Sequence, residues 1–312
     1  METTAIAAIE SALARYDLGA IESIVPVDGE HENAPHVVTT GDGKYFVKLL
    51  TPRLSAMPAL EARHAFVDHL VKAKVSVPRL IRTSDGGGCV REGPRAVEVY
   101  EHIAGEPMGP GDGSQVMRAG MLLSEVHRAA ESFRSPTPGM RRDWLTPDGD
   151  LAKLDAIRRQ MVTYVPAPEM FEPLERVRRV LVESAKSLSE ANLPTHMIHG
   201  SFFPGNMIFV RKTWVLGFRP LFITDFDYCH VAPRVLDVAA GFIAFGEYYG
   251  TGEPRWAGWE LIDEGYRGPD VLDDGELRAS TPALRRVLIH LRLDEGASPE
   301  MIAEELEAME SH

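Results

Sequence analysis

The spacing of apolar residues changes once along this chain. Up to about residue 103 most apolar runs are short and extended, and beyond it they recur every three to four residues, as on helices. Residues 4–16 (TAIAAIESALARY) predict a short amphipathic helix. Runs 21–27, 36–40 and 44–50 read as strands, the last two joined by Gly41-Asp42-Gly43, a hairpin signal. Residues 57–74 return to a helical period. Runs 77–81 and 89–91 then flank the glycine-rich turn 86–88, and 95–103 (RAVEVYEHI) is a last strand-like run.

After Ala104-Gly105-Glu106-Pro107, read as a turn, residues 114–132, 151–163 and 171–191 predict helices. The polar, proline-bearing stretch 133–150 predicts a loop. Runs 207–210 and 221–224 bracket a hairpin, and from Val235 onward the pattern is helical again, including 257–266, 281–291 and 298–310. A sheet followed by helices predicts an α+β fold rather than a parallel α/β one. The expected division is 1–103, a small antiparallel sheet with one inserted helix, and 104–312, mainly helical around one hairpin.

Composition adds limits. The chain has 312 residues, 44% hydrophobic and 25% charged, enough for a sizeable core in two lobes. Forty-six acidic residues against 33 basic ones give a net charge of -13. That field repels a polyphosphate, so no nucleic-acid partner is expected, while a cationic small substrate would be attracted. Cys89 and Cys229 offer neither a disulfide framework nor a metal spacing. No basic stretch leads into an apolar run at the N-terminus, and no run approaches 18 uncharged apolar residues. A cytoplasmic protein without a membrane segment is expected. The motifs G-x-x-x-x-G-K-[ST], G-x-G-x-x-G after a strand, H-E-x-x-H and G-x-S-x-G are all missing, which removes the common nucleotide-loop and hydrolase readings.

The chemistry concentrates at His199-Gly200-Ser201-Phe202-Phe203-Pro204-Gly205-Asn206 and, across the hairpin, Ile223-Thr224-Asp225-Phe226-Asp227. These stretches resemble the H-G-D-x-x-x-x-N and I-D-F/W motifs of the aminoglycoside phosphotransferase, choline kinase and homoserine kinase superfamily, relatives of the protein-kinase catalytic loop and D-F-G. The resemblance runs from about Val25 to near Tyr266. It implies a bilobal, protein-kinase-like fold that uses ATP (or GTP) and Mg²⁺ to phosphorylate a hydroxyl on a small, possibly cationic, molecule. Such chemistry needs a metal bridging the phosphates, a cation on the phosphates, and a group orienting the incoming hydroxyl. Mg²⁺ takes hard oxygen ligands and keeps several waters, so one carboxylate and one amide oxygen suffice from the protein. Asp225 and Asn206, each at the mouth of one hairpin strand, are that pair.

Lys48, in Tyr45-Phe46-Val47-Lys48 of the third strand, stands where this fold places its phosphate-binding cation, and Glu61 on the next helix is placed to pair with it. The backbone of Glu101 and Ile103 is where adenine would be held. Asp28-Gly29-Glu30-His31-Glu32-Asn33 lies where a phosphate-covering loop belongs, and a solvent-exposed turn reads equally well. His127 is expected to be structural, and Asp237 to brace the catalytic loop. Trp144, Trp214, Trp256 and Trp259 have no diagnostic spacing; Trp256 and Trp259 read as core packing or as a pocket lining. Asp270, Asp273, Asp274 and Glu276 form an acidic stretch suited to an amine or to a solvated loop.

Ser201 departs from the resemblance, because the family carries its catalytic Asp there. A serine is neutral and cannot take a proton as a carboxylate does, although it accepts a hydrogen bond. Loss of a general base typically costs about 10²- to 10⁴-fold in rate. Several explanations stay open: a family member turned to ligand binding, an active enzyme with its base elsewhere, a substitution that traps a complex, or a transfer needing no base. Asp227 is the nearest alternative base, or else a second metal ligand. A serine nucleophile activated by His199 lacks an acid partner and is set aside.

Overall fold

A computed structural model describes residues 2–28, 33–109, 111–137, 139, 144, 146–161, 168–210, 220–249, 255–267 and 272–310. Residues 29–32, 211–219 (which include Trp214) and Asp270 lie outside the described residues, as does the side chain of Trp256. The first half of the chain runs α1 (Glu2–Leu13), β1 (Ile21–Pro26), β2 (Ala34–Thr40), β3 (Gly43–Leu49), α2 (Met57–Lys72), β4 (Leu80–Ile81), β5 (Val90–Glu92), β6 (Arg95–Glu101), β7 (Gly105–Pro107) and α3 (Gly113–Ser132). It continues with α4 (Asp148–Met161), α5 (Glu172–Glu190), β8 (His196–Ile198), β9 (Met207–Val210), β10 (Leu221–Ile223), β11 (His230–Ala232), α6 (Val235–Tyr249), α7 (Arg255–Arg267), α8 (Asp274–Asp294) and α9 (Pro299–Glu310). No helix among the described residues is long and apolar enough to cross a membrane.

The chain divides into two compact units. The first comprises Met1–Gly109, Glu125–Arg141 and Pro204–Val231; the second comprises Pro110–Ser124, Arg142–Phe203 and Ala232–His312. A single cut after residue 103 therefore differs from the observed division, which draws the β9–β10 hairpin into the first unit. The reason is strand pairing. β7, which the sequence reads as a turn, pairs antiparallel with β9 through Gly105↔Val210, Glu106↔Phe209 and Pro107↔Ile208. Gly105 permits the approach: a Cβ there would meet Ile208 Cγ2 at 2.3 Å and the Phe209 carbonyl oxygen at 2.5 Å.

The main sheet of the first unit has the order β1-β2-β3-β6-β4, with β5 also pairing with β6, all antiparallel. Alternation sorts its side chains. Val47, Leu49, Val97 and Val99 face α1 and form a core with Ile9, Ala12, Leu13 and Tyr16. Their strand neighbours Lys48 and Glu98, paired in register, must then project from the opposite face. Helix α2 buries Leu60, Arg63, His64 and Val67, the i, i+3, i+4, i+7 stripe of an amphipathic helix.

The second unit is helical. Two glycines allow close helix packing: a Cβ on Gly265 of α7 would lie 1.9 Å from the Met117 carbonyl oxygen of α3, and one on Gly120 would lie 2.4 Å from that of Ile262. Helix α8 starts at Asp274, seven positions before the sequence expectation of 281. Asp273 caps it, its side chain accepting from the Glu276 amide at 2.8 Å while the Glu276 side chain accepts from the Asp273 amide at 2.9 Å.

Candidate functional site

In the first unit, the β9–β10 hairpin brings the two proposed oxygen ligands together. Ile223 pairs with Met207 at its open end. One step further, the Thr224 amide donates to the Asn206 carbonyl at 2.9 Å and the Thr224 hydroxyl at 3.2 Å. Asn206 is buried, and Asp225 follows directly on Thr224. Asp225 has φ +65°, the left-handed region that a non-glycine residue visits at a cost of about 1–2 kcal/mol. Its carboxylate accepts the Asp227 amide at 3.4 Å, a local turn that helps offset that cost.

Lys48 reaches this turn from β3. Its amine lies 2.7 Å from Asp225 and 3.0 Å from Asp227. Burial alone would lower the Lys48 pKa, but Asp225 and Asp227 together hold it well above the usual lysine range, so the amine is charged. The two carboxylates differ in access: the Asp225 side chain is 38% exposed and that of Asp227 3%. Only Asp225 is open to a ligand.

One expectation is corrected here. Glu61 is exposed on α2, and the carboxylates at the Lys48 amine are those of Asp225 and Asp227. The helical phase of α2 explains this, since it turns Leu60, Arg63 and Val67 inward and leaves position 61 in solvent. Asp227, named from sequence as an alternative base or second metal ligand, is buried and already partnered. Besides Lys48 it accepts from Arg63 Nη1 at 3.1 Å and from the Asn33 side-chain amide. Burial pushes its carboxyl up to about 6 against the pull of Lys48 and Arg63, with Asp225 adding to the rise.

The network extends behind Asp227. Arg63 also pairs with Glu98, which in turn meets His64 Nε2. Glu98 is fully buried; burial would raise it, but Arg63 and His64 hold it down at about 2. Asn33 is pinned by accepting the Thr51 amide at 3.0 Å. Charges this deep are tolerated only when matched. Sequence reasoning missed Arg63, Glu98 and Asn33. Two of them carried a signal: Glu98 is a carboxylate between Val97 and Val99 on a buried strand, and Arg63 lies on the apolar stripe of α2. Each implies a buried partner of opposite charge.

At the end of β6, the Glu101 amide donates to the Arg79 carbonyl at 2.9 Å and its side chain accepts from Arg79 at 2.7 Å. The Glu101 amide is thus already engaged within the fold.

The second unit carries the loop of Ser201. Asp237, at the start of α6 and buried, accepts the His199 amide at 2.7 Å and the Gly200 amide at 2.8 Å, as the sequence leads one to expect. Gly200 has φ +77°. The His199 ring is buried, and the lone pair of its Nδ1 accepts the Ser201 amide at 3.2 Å, so that nitrogen is not free to take a proton from the Ser201 hydroxyl. This supports setting aside a serine nucleophile activated by His199. His127 is fully buried on α3.

Two acids of the stretch around the start of α8 have structural partners. Asp273 is the N-cap, and Glu276 is fully buried, receiving Arg234 Nε at 2.7 Å and Nη2 at 2.9 Å. Trp259 stacks on Phe242, ring centroids 6.4 Å apart, in the wall of a cavity of about 320 Å³ lined also by Val235, Val238 and Leu272. That cavity is on a different side of α6 from the loop. Asp237 and Gly241 meet the loop residues His199, Gly200 and Phe202, while Val238 and Phe242 lie about 100° further round the helix.

The model of the family described as "Phosphotransferase enzyme family" matches residues 23–272. The chain is 26% identical over 202 residues to a homoserine kinase of Parvibaculum lavamentivorans, a match covering 65% of this chain and 60% of that protein. It is 23% identical over 258 residues to a homoserine kinase of Methylocella silvestris, covering 76% and 74%. The chain thus spans only about three-fifths of the first of these relatives. Among solved structures, a microcompartment-associated aminopropanol kinase superposes with a TM-score of 0.70 at 18% identity, covering 97% of this chain and 93% of that one. Spectinomycin phosphotransferase with ADP and spectinomycin gives a TM-score of 0.63 at 14% identity, covering 96% and 93%. These likenesses establish the bilobal, kinase-like α+β fold.

Proposed function

This chain belongs to the phosphotransferase enzyme family, and from that membership we propose that it transfers the terminal phosphoryl group of ATP (or GTP) to a hydroxyl of a small, amine-bearing alcohol or amino acid. The observation that carries this reading is the convergence of the Lys48 amine, 2.7 Å from Asp225, with the Asn206–Thr224 pairing that seats both oxygen ligands at one hairpin mouth. The acceptor class is supported by the names of the relatives, which phosphorylate homoserine and aminopropanol.

The donors suit a divalent ion: a carboxylate open to solvent and, from the residue whose backbone pairs with Thr224, an amide side chain, both offering hard oxygens. Asp225 and Asn206 would hold Mg²⁺, which when bound neutralises phosphate charge. Lys48, released from Asp225, would hold phosphate oxygens. The Glu101 carbonyl and Ile103 backbone would hold the base. Ser201 stands at the position for the acceptor hydroxyl and can receive its hydrogen bond. In the transfer the acceptor oxygen bonds to the terminal phosphorus, the bond to the bridging oxygen breaks, and the hydroxyl proton passes to solvent, because Ser201 cannot keep it. Slow turnover is therefore the expected outcome.

The Ser201 position also supports a second reading, a nucleotide-binding protein without transfer. ATP consumption with amino alcohols, hydroxyl amino acids and aminoglycosides, compared between the chain and Ser201→Asp, separates the two. Acceptor-dependent turnover that rises about 10²-fold or more in the variant supports the kinase reading. Saturable MgATP binding with no acceptor-dependent turnover by either form supports the second.

A further inference from the structure

We propose that Asp227, not a carboxylate on α2, is the group that positions Lys48 for phosphate, and that Arg63 and Asn33 hold Asp227 in that task. This rests on the phosphotransfer reading, because it assigns Lys48 its phosphate role.

Helix α2 offers a cation to the site, since Arg63 points in and Glu61 points out. The carboxylate that Lys48 needs therefore comes from the turn after β10. Asp225 and Asp227 share the amine, yet they are not equivalent: Asp225 is the solvent-open one, suited to an incoming metal, and Asp227 is sealed. Once Asp225 is engaged elsewhere, Asp227 is the carboxylate left at the Lys48 amine.

Asp227 is fixed from three directions. Lys48 approaches from β3 at 3.0 Å and Arg63 from α2 at 3.1 Å, with Asn33 arriving from the start of β2. Arg63 is itself anchored on Glu98 of β6, and Asn33 on the Thr51 amide. Helix α2 thus reaches Lys48 through two ion pairs in series, Arg63–Asp227 and Asp227–Lys48. When the Lys48 amine turns toward phosphate, Arg63 keeps Asp227 compensated, so the carboxylate holds its place beneath the lysine. Asp227 and Arg63 are positioning residues and touch no substrate.

The test titrates Mg²⁺ and the non-hydrolysable analogue AMP-PNP into the full chain by calorimetry, with Tm measured in parallel. Glu61→Gln is expected to bind within twofold of the unaltered chain. Asp227→Asn is expected to bind about tenfold more weakly, and Asn33→Ala about three- to tenfold more weakly with Tm within a few degrees. Where ATP turnover is measurable, the loss appears in KM for ATP more than in kcat. Should Asp227→Asn not fold, Asn33→Ala against Glu61→Gln decides the matter. The proposal is overturned if Asn33→Ala and Asp227→Asn bind as tightly as the unaltered chain, or if Glu61→Gln weakens binding more than they do. No binding by the unaltered chain overturns the nucleotide reading as well, whereas tight but insensitive binding overturns this proposal alone.

Discussion

The Lys48 amine sits 2.7 Å from the Asp225 carboxylate, joining the middle strand of one sheet to the turn that ends a hairpin 177 residues away. Replacing it tests the site most directly. Lys48→Met is expected to weaken binding of MgAMP-PNP about 10²-fold. It should also lower stability by about 3 kcal/mol, because Asp227 stays buried with one cation fewer. Calorimetric titration and urea unfolding read the two effects separately.

Asp237 accepts two backbone amides of the Ser201 loop, and an asparagine there would present one acceptor and one donor. Asp237→Asn is expected to lower kcat about 10- to 100-fold in a Ser201→Asp background while leaving KM for ATP within about twofold. Steady-state kinetics decides it; a change confined to KM for ATP contradicts the bracing role.

Acid stability should depend on Glu98. Its pKa is about 2 in the folded chain against an ordinary value of 4.5, so the folded state prefers the charged form. That contribution, about 3 kcal/mol, is fully present above pH 4.5 and is lost as the pH falls toward 2. Thermal unfolding followed from pH 6 to pH 2.5 should show a falling Tm. Glu98→Gln should begin lower and fall less steeply over the same window; an unchanged slope contradicts the assignment.

Glu276 distinguishes an amine-binding patch from a structural pair. Glu276→Gln leaves Arg234 buried with a weaker partner and is expected to destabilise the chain by about 3 kcal/mol, with no change in the ranking of amine-bearing acceptors. A selective loss of the more cationic acceptors at unchanged Tm would return Glu276 to the substrate site.

Much of this was legible in the residues. Alternation in 44–50 and 95–103 set which face of the sheet Lys48 occupies, and the Asn206 and Asp225 spacing located the hairpin mouth. Asp237 was readable because the motif around it fixes its distance from His199. What escaped were pairings made across long stretches of chain. Glu61 and Arg63 are two residues apart on one helix, and only the helical phase tells which one faces inward; charge type alone pointed to the wrong one. Glu276 looked like one of several acids in a loop because its partner, Arg234, lies 42 residues earlier. β7 was hidden because three residues around a glycine and a proline carry no strand period of their own.

The left-handed backbone at Asp225 limits which residues the position can accept. Glycine, asparagine and aspartate enter that region readily, and other side chains crowd the following carbonyl. Of these three, glycine carries no side-chain oxygen and asparagine no charge. A saturation library at 225 should therefore return two overlapping sets, a small one that folds and a single member that both folds and holds a cation well. Aspartate here answers to two demands at once, so drift at this position has almost nowhere to go.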